Sequence, residues 1–229
     1  MTIEHTNKSL TGCVADRLRQ MIVLDEIPPG ERLRERHLAA VLNVSRTPLS
    51  KAFAILAAEG LVDLSPNRGA TVSGFSSEDV IEKLMVLAAL ERLAGELACD
   101  NATDDEIAEI RALHHEMLAA FSRSDRKAYF QANQAIHLAI AEASGNSALV
   151  ETHGRLNTQL YRVRYVSNLN NALWPTAVEE HEHILEALAA RNREKLGALL
   201  FAHLGSTSIK FEAIKDRLEV LPVPEDGID

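Results

Sequence analysis

Apolar residues recur at helical spacing near the start of the chain, at Leu10, Val14, Leu18, Met21 and Ile22, and such a period predicts a helix over about 10–24. Pro28-Pro29-Gly30 breaks it. A short second helix is expected at about 35–42, burying Leu38, Ala39 and Leu42, with Asn43 as its left-handed stop. Ser45 then stands where an N-cap belongs, and Pro48 is tolerated in a first helical turn. The third helix turns Leu49, Ala52, Phe53 and Leu56 to one side and ends at Gly60. Beyond Gly60 the period shortens. "LVDLS" and "ATVSGF" flank "PNRG", which predicts a hairpin with Asn67-Arg68-Gly69 at its tip. Helix, helix, turn, helix, hairpin over residues 10–75 is the order of a winged helix-turn-helix.

From Ser76 onward the strand pattern gives way to helical spacing. Six helices are predicted at about 77–99, 103–123, 125–143, 146–168, 175–190 and 192–218. Ser77, Thr103 and Asp125 are start signals, while Gly145 and Pro175 punctuate. The fold class is therefore mainly α. An N-terminal winged helix-turn-helix occupies residues 1–75, a C-terminal all-helical bundle residues 76–220, and a frayed tail residues 221–229.

Charge sharpens this division. The 229-residue chain carries a formal net charge of −9. Residues 1–75 have a net charge of +1, and residues 76–229 a net charge of −10. Nucleic acid would be repelled by the second part, so any contact with it is expected from the first. No apolar run approaches the roughly 18 residues that would span a membrane, and no signal core opens the chain, so a cytoplasmic protein without membrane contact is expected. Cys13 and Cys99 show no metal-ligand spacing and read as free thiols.

The third helix carries the first candidate chemistry. Opposite its buried side stand Thr47, Ser50, Lys51 and Ala54, with Arg46 at the edge of the first turn. An ordinary capped surface helix could look the same. The short helix before it and the hairpin after it favour a recognition helix. In that reading Arg46 bonds guanine in bidentate fashion and Thr47 meets a phosphate or a thymine methyl. Ser45, Ser50 and Lys51 join this edge, Arg36 is a phosphate candidate, and Asn67, Arg68 and Gly69 form a wing tip that reaches the backbone or minor groove. A single such head binds weakly, so a homodimer on two half-sites of double-stranded operator DNA is expected.

The stretch "PPGERLRERHLAAVLNVSRTPLSKAFAILAAEGLVDLSPNRGATV" resembles the DNA-binding head of the GntR family of bacterial transcription regulators. The resemblance follows the pattern pGerL-x-E-x-x-LA…VSRTP…LxxEGLv…pnrGa-V almost position by position. One departure is Ser50, where that family often has an arginine that contacts DNA. Lys51 follows it here, so an altered operator preference is expected.

Nine histidines are present. His5 falls in the tail, His37 in the head, and His114-His115 are expected to face solvent. His153 has no partner at helical spacing, and His183 points away from His181. Asn133 and His137, four apart, share one helix face. His181 and His203 lie among leucines on two later helices. These residues are either satisfied core histidines or a set of three imidazoles and one amide oxygen that suits a divalent ion such as zinc or nickel. Residues 76–220 resemble the FCD domain, the helical effector domain of the FadR-type GntR branch, through "HLAIAEASGN", "EEHEHILEAL" and the late "HL" at His203-Leu204. The resemblance implies metal ligation by Asn133, His137, His181 and His203. Metal-binding members have Asp at the first position. Asn133 supplies an oxygen but no charge, which implies weaker binding.

Many members also have an arginine four residues before the glutamate of the first effector helix, where Leu87 precedes Glu91 here. The charge of an organic-acid effector would then be met by the metal or by another cation. Arg162 and Arg164 are candidates, with Tyr161 and Tyr165 beside them; two apart, only one arginine is expected to face a cavity.

An enzyme is not expected. Neither an HExxH pair, nor a second ExxH, nor a phosphate-binding glycine loop accompanies these histidines. The expectation is a transcription regulator, a repressor by preference, whose operator affinity responds to a small organic acid at a metal-containing pocket. The alternatives are a regulator with a purely structural metal and no effector, and a helical metallohydrolase.

Overall fold

A computed structural model describes residues 9–24, 26–65, 69–167 and 174–212. The chain divides into two compact units, with the change between Ser76 and Ser77. In the first, α1 (Leu10–Val23) starts at Ser9, whose side chain accepts from the Gly12 N–H at 3.1 Å. Val14, Leu18 and Ile22 are buried, whereas Leu10 is exposed. Leu10 sits in the first turn, ahead of the surface that α1 buries, and so its apolar spacing carries no burial. Gly30 takes a left-handed φ of 79° and donates its N–H to Val72 O at 2.9 Å, which brings the chain onto the sheet.

β1 (Arg32–Leu33) is an element the apolar pattern did not predict. Two residues contain no period; their pairing partner alone makes them a strand. The sheet order is β1-β3-β2, all antiparallel, with β2 at Val62–Ser65 and β3 at Gly69–Val72. Between β1 and β2 lie α2 (Glu35–Val41) and α3 (Arg46–Ala58). Asn43 stops α2 at φ 52°, and Val44 N–H closes back to Ala39 O at 3.0 Å. Gly60 stops α3 at φ 76°, with Leu61 N–H to Leu56 O at 2.9 Å. Ser45 occupies the N-cap position with extended backbone, but its side chain makes no cap hydrogen bond. The expected cap is thus one of backbone only, and the hydroxyl stays at the exposed edge. Leu18, Leu33, Leu49, Phe53, Leu56, Val62 and Val72 close one core, each fully buried leucine stabilising by about 1.5–3 kcal/mol. Arg19 on α1 holds Glu59 through two nitrogens at 2.8 and 2.5 Å, fixing α1 to the end of α3.

The second unit contains α4 (Ser77–Asn101), α5 (Asp104–Ser122), α6 (Arg126–Ala143), α7 (Ser147–Ser167), α8 (Trp174–Ala189) and α9 (Arg193–Glu212). Its helix starts follow local chemistry. Thr103 and Glu106 form a capping box, Asp125 accepts from Ala128 N–H at 3.0 Å, and Asn146 accepts from Leu149 N–H at 3.1 Å. Gly145, at φ 68°, lets α6 turn into that last cap. α4 packs on α9, and α5 on α6. Leu196 and Leu200 of α9 fill the space left by Gly95 of α4. Tyr129 stacks on Trp174 with ring centroids 4.8 Å apart, closing one end of the core. No strand occurs in this unit among the described residues.

Candidate metal centre and nucleic-acid interface

The face of α3 away from the core presents Arg46, Thr47, Ser50, Lys51 and Ala54, all exposed. Arg36 on α2 is exposed as well, and so are Ser45 and Gly69. Gly69 opens β3 at a φ of 89°, a conformation that side-chain-bearing residues rarely adopt. Asn67 and Arg68 lie outside the described residues, as do His5 and the tail at 221–229. Arg32 was not singled out in the sequence, because its place on β1 only becomes visible with the sheet. Its guanidinium runs alongside Gly69, about 4 Å from where a Cβ would stand.

In the helical unit, His137, His181 and His203 converge from α6, α8 and α9. One ring nitrogen of each lies within 4.8 Å of the others, and all three residues are buried. The ring centroids are 4.7 to 5.2 Å apart. Each ring is held from behind or from the side. His137 Nδ1 lies 2.8 Å from Glu91 Oε2 on α4, and His203 Nδ1 lies 2.6 Å from Glu180 Oε2 on α8. A carboxylate only accepts, so both Nδ1 atoms donate. A neutral ring then carries its lone pair on Nε2. The Asn133 amide nitrogen lies 2.6 Å from His181 Nε2. His137 Nε2 and His181 Nδ1 are buried without a hydrogen-bond partner among the described residues.

Electrostatics follow from burial. His137 is lowered to about 4, first by desolvation, against the opposing pull of Glu91. Desolvation first, then His203 and His137, push His181 far below its usual value. Both rings are therefore neutral lone-pair donors at neutral pH. Burial would raise Glu91, but His137 and His153 outweigh it and hold the carboxylate ionised.

His153 is the partner that spacing along one helix could not show. From α7 its Nε2 lies 2.9 Å from Glu91 Oε1, so Glu91 joins α4, α6 and α7. His114 corrects the expectation of solvent exposure. It is 2% exposed on α5, its nitrogens have no hydrogen-bond partner among the described residues, and burial lowers its pKa. Its neighbour His115 is exposed. Adjacent helical positions point in different directions, and here one of them met the α5–α8 packing surface.

Of the two arginines, Arg164 is buried and Arg162 half-buried. Arg164 Nη1 donates to Gln134 Oε1 at 3.0 Å and also bonds Asn157. Gln134 Nε2 in turn donates to Asn133 Oδ1 at 3.3 Å. A polar chain therefore runs from Arg164 through Gln134 and Asn133 to His181. Tyr161 and Tyr165, both half-buried, meet the Phe130 ring in edge contacts at 4.9 and 5.3 Å.

Comparison with known proteins agrees with both halves. Residues 10–72 match "Bacterial regulatory proteins, gntR family", and residues 82–206 match "FCD domain". A probable D-xylose utilization operon transcriptional repressor of Paenarthrobacter nicotinovorans is 29% identical over 209 residues, covering 89% of this chain and 92% of that protein. The Nta operon transcriptional regulator of Aminobacter aminovorans is 30% identical over 186 residues, covering 80% of this chain and 86% of that protein. The solved structure of E. coli McbR/YncC shares the fold, with a TM-score of 0.80 and 24% identity, over 90% of this chain and 99% of that one. Among the described residues no helix is long and apolar enough to cross a membrane. With a winged helix-turn-helix head and an FCD body, this chain belongs to the GntR family of DNA-binding transcription regulators.

Proposed function

We propose that this regulator is a repressor whose helical unit holds a divalent metal ion and binds a small organic acid there. The observation that carries this reading is the convergence of three buried histidines whose Nδ1 or Nε2 atoms are oriented by other side chains. Imidazole ligands backed by carboxylates are a recurring feature of metal sites. His137, His181 and His203 would hold the ion. Asn133 would add its amide oxygen by turning over, giving up its present bonds to His181 Nε2 and from Gln134 Nε2. Three imidazoles and an oxygen suit zinc or nickel. Bound there, the ion supplies a Lewis-acidic anchor for a carboxylate.

Arg164 is the cation that we assign to the effector side of this site; it is buried and bonds Gln134, the neighbour of Asn133. Arg162, Tyr161 and Tyr165 shape the surroundings. Residues 1–75 grip DNA through Arg46, Thr47, Ser50 and Lys51 in the major groove, with Ser45, Arg36, Asn67, Arg68 and Gly69 toward the backbone. Arg32, beside Gly69, extends that set. Residues 76–220 dimerise; Met85, Val86 and Leu93, exposed on one helix, α4, favour a second copy as their cover. α4 also carries Glu91 and begins at Ser77, where the DNA-binding unit ends. An effector acts only if it binds the two operator-affinity states unequally.

The test is operator binding by the full chain, metal-loaded and chelator-stripped, with and without a panel of small carboxylates. The reading requires metal that is lost on His203→Ala and a carboxylate that changes operator affinity only in the loaded protein. A metal whose removal unfolds the chain, with no carboxylate effect, supports the structural-metal alternative.

A further inference from the structure

We propose that Asn133 makes metal binding and carboxylate binding interdependent in this protein: the ion is held loosely until an anion from solution completes its coordination and its charge. The inference rests on the metal reading above and concerns the charge of the site. Among the described residues the cluster contains no carboxylate, only His137, His181 and His203. The neighbouring side chain that can reach it, Asn133, is an uncharged amide 2.6 Å from His181 Nε2.

The carboxylates around the cluster are already engaged. Both oxygens of Glu91 are taken, by His137 Nδ1 and His153 Nε2, at 2.8 and 2.9 Å. The buried guanidinium of Arg164 acts on the Glu91 charge electrostatically, from within the same interior. Glu180 accepts from His203 Nδ1 at 2.6 Å, and Lys210 acts on it electrostatically. A divalent ion therefore adds two positive charges to a buried neutral setting. Burying charge without a counter-charge is costly. An anion entering an open coordination position removes much of that cost. Such a site selects carboxylates over neutral molecules of the same shape, and its metal occupancy rises with anion concentration.

The experiment is a Co²⁺ titration of the full chain, read by the visible absorption of the ion, in acetate and in acetamide. Acetate is the smallest carboxylate that fills a coordination position, and acetamide is its uncharged counterpart. The coupling expected is about tenfold or more tighter Co²⁺ binding in acetate, within the usual range for linked sites. Asn133→Asp should bind Co²⁺ tighter without acetate and lose most of the gain. Equal Co²⁺ affinity in the two solutions overturns the proposal, as does an undiminished gain in Asn133→Asp. The solution comparison on the unaltered protein stands even if that variant folds poorly. Failure of the metal reading is distinct: Co²⁺ would then give no absorption that disappears in His203→Ala under either condition.

Discussion

Glu91 Oε2 and His137 Nδ1 lie 2.8 Å apart with both side chains shielded from solvent. Glu91 therefore does on α4 what no neighbour of His137 on α6 could do: it fixes the tautomer that leaves Nε2 facing the cluster. Because His153 takes the second oxygen, three helices share one carboxylate. Glu91→Gln turns an acceptor-only group into one that must donate at one end. One imidazole must then accept through the opposite tautomer or lose its partner, and with the carboxylate charge gone from behind His137 metal affinity should fall about 10- to 100-fold. The metal-free protein should lose about 1–3 kcal/mol in urea unfolding. Unchanged values in both measurements would remove Glu91 from the site.

Arg46 is exposed on α3 and makes no side-chain hydrogen bond or ion pair among the described residues. Arg46→Ala should weaken specific operator binding by about 1–3 kcal/mol and leave the thermal midpoint in place. Fluorescence anisotropy on a labelled operator, beside a melting curve, separates the two effects.

The buried histidines set the response to acid. His137 is lowered to about 4 in the folded chain, and burial first of all holds His181 well below its ordinary value. Between the unfolded value near 6.5 and pH 4, the unfolded chain binds more protons than the folded one. Stability of the metal-free protein therefore falls as pH falls through that window, by up to about 1.4 kcal/mol per pH unit for each such histidine. Glu91, held ionised, adds a loss of the same sign below its unfolded value. Urea midpoints measured from pH 7.5 to 4.5 (in about half-unit steps) test this; a flat profile would contradict it.

Gly95 and Gly197 sit on facing helices but differ in what a Cβ would meet. At Gly95 it would overlap Leu200 Cδ1 and stand 3.0 Å from Leu196 Cγ, both in the packed core. At Gly197 it would meet Glu96 Cγ at 2.8 Å and Oε1 at 2.9 Å, on a partly exposed side chain that must shift together with its bond to Arg92. Gly95→Ala should cost about 1–3 kcal/mol by overpacking. Gly197→Ala should cost less than Gly95→Ala, because a helix-propensity gain of up to about 1 kcal/mol offsets part of the adjustment. Chemical denaturation of the two variants decides it.

What the sequence determined by itself is what depends on short-range chemistry. The stops at Asn43, Gly60 and Gly145, the capping box at Thr103, and the buried face Leu49, Ala52, Phe53 and Leu56 each arise within a turn or two of helix. Helix period, stop signals and the hairpin pattern were enough to order the helices of both units and the β2–β3 hairpin, but not β1. The three histidines were legible as candidates through the resemblance of their motifs, which encodes long-range packing indirectly. Tertiary structure alone decided what joins distant segments. β1 exists only because β3 offers it an edge. Glu91 and His153 are 62 positions apart and share no period, yet packing of α4 on α7 places them 2.9 Å from each other. His114 and His115 were indistinguishable as neighbours, until the packing of α5 against α8 buried one and left the other in water. Local backbone preferences are written into adjacent residues. The polarity and partners of a buried group are set by whichever helices come to surround it.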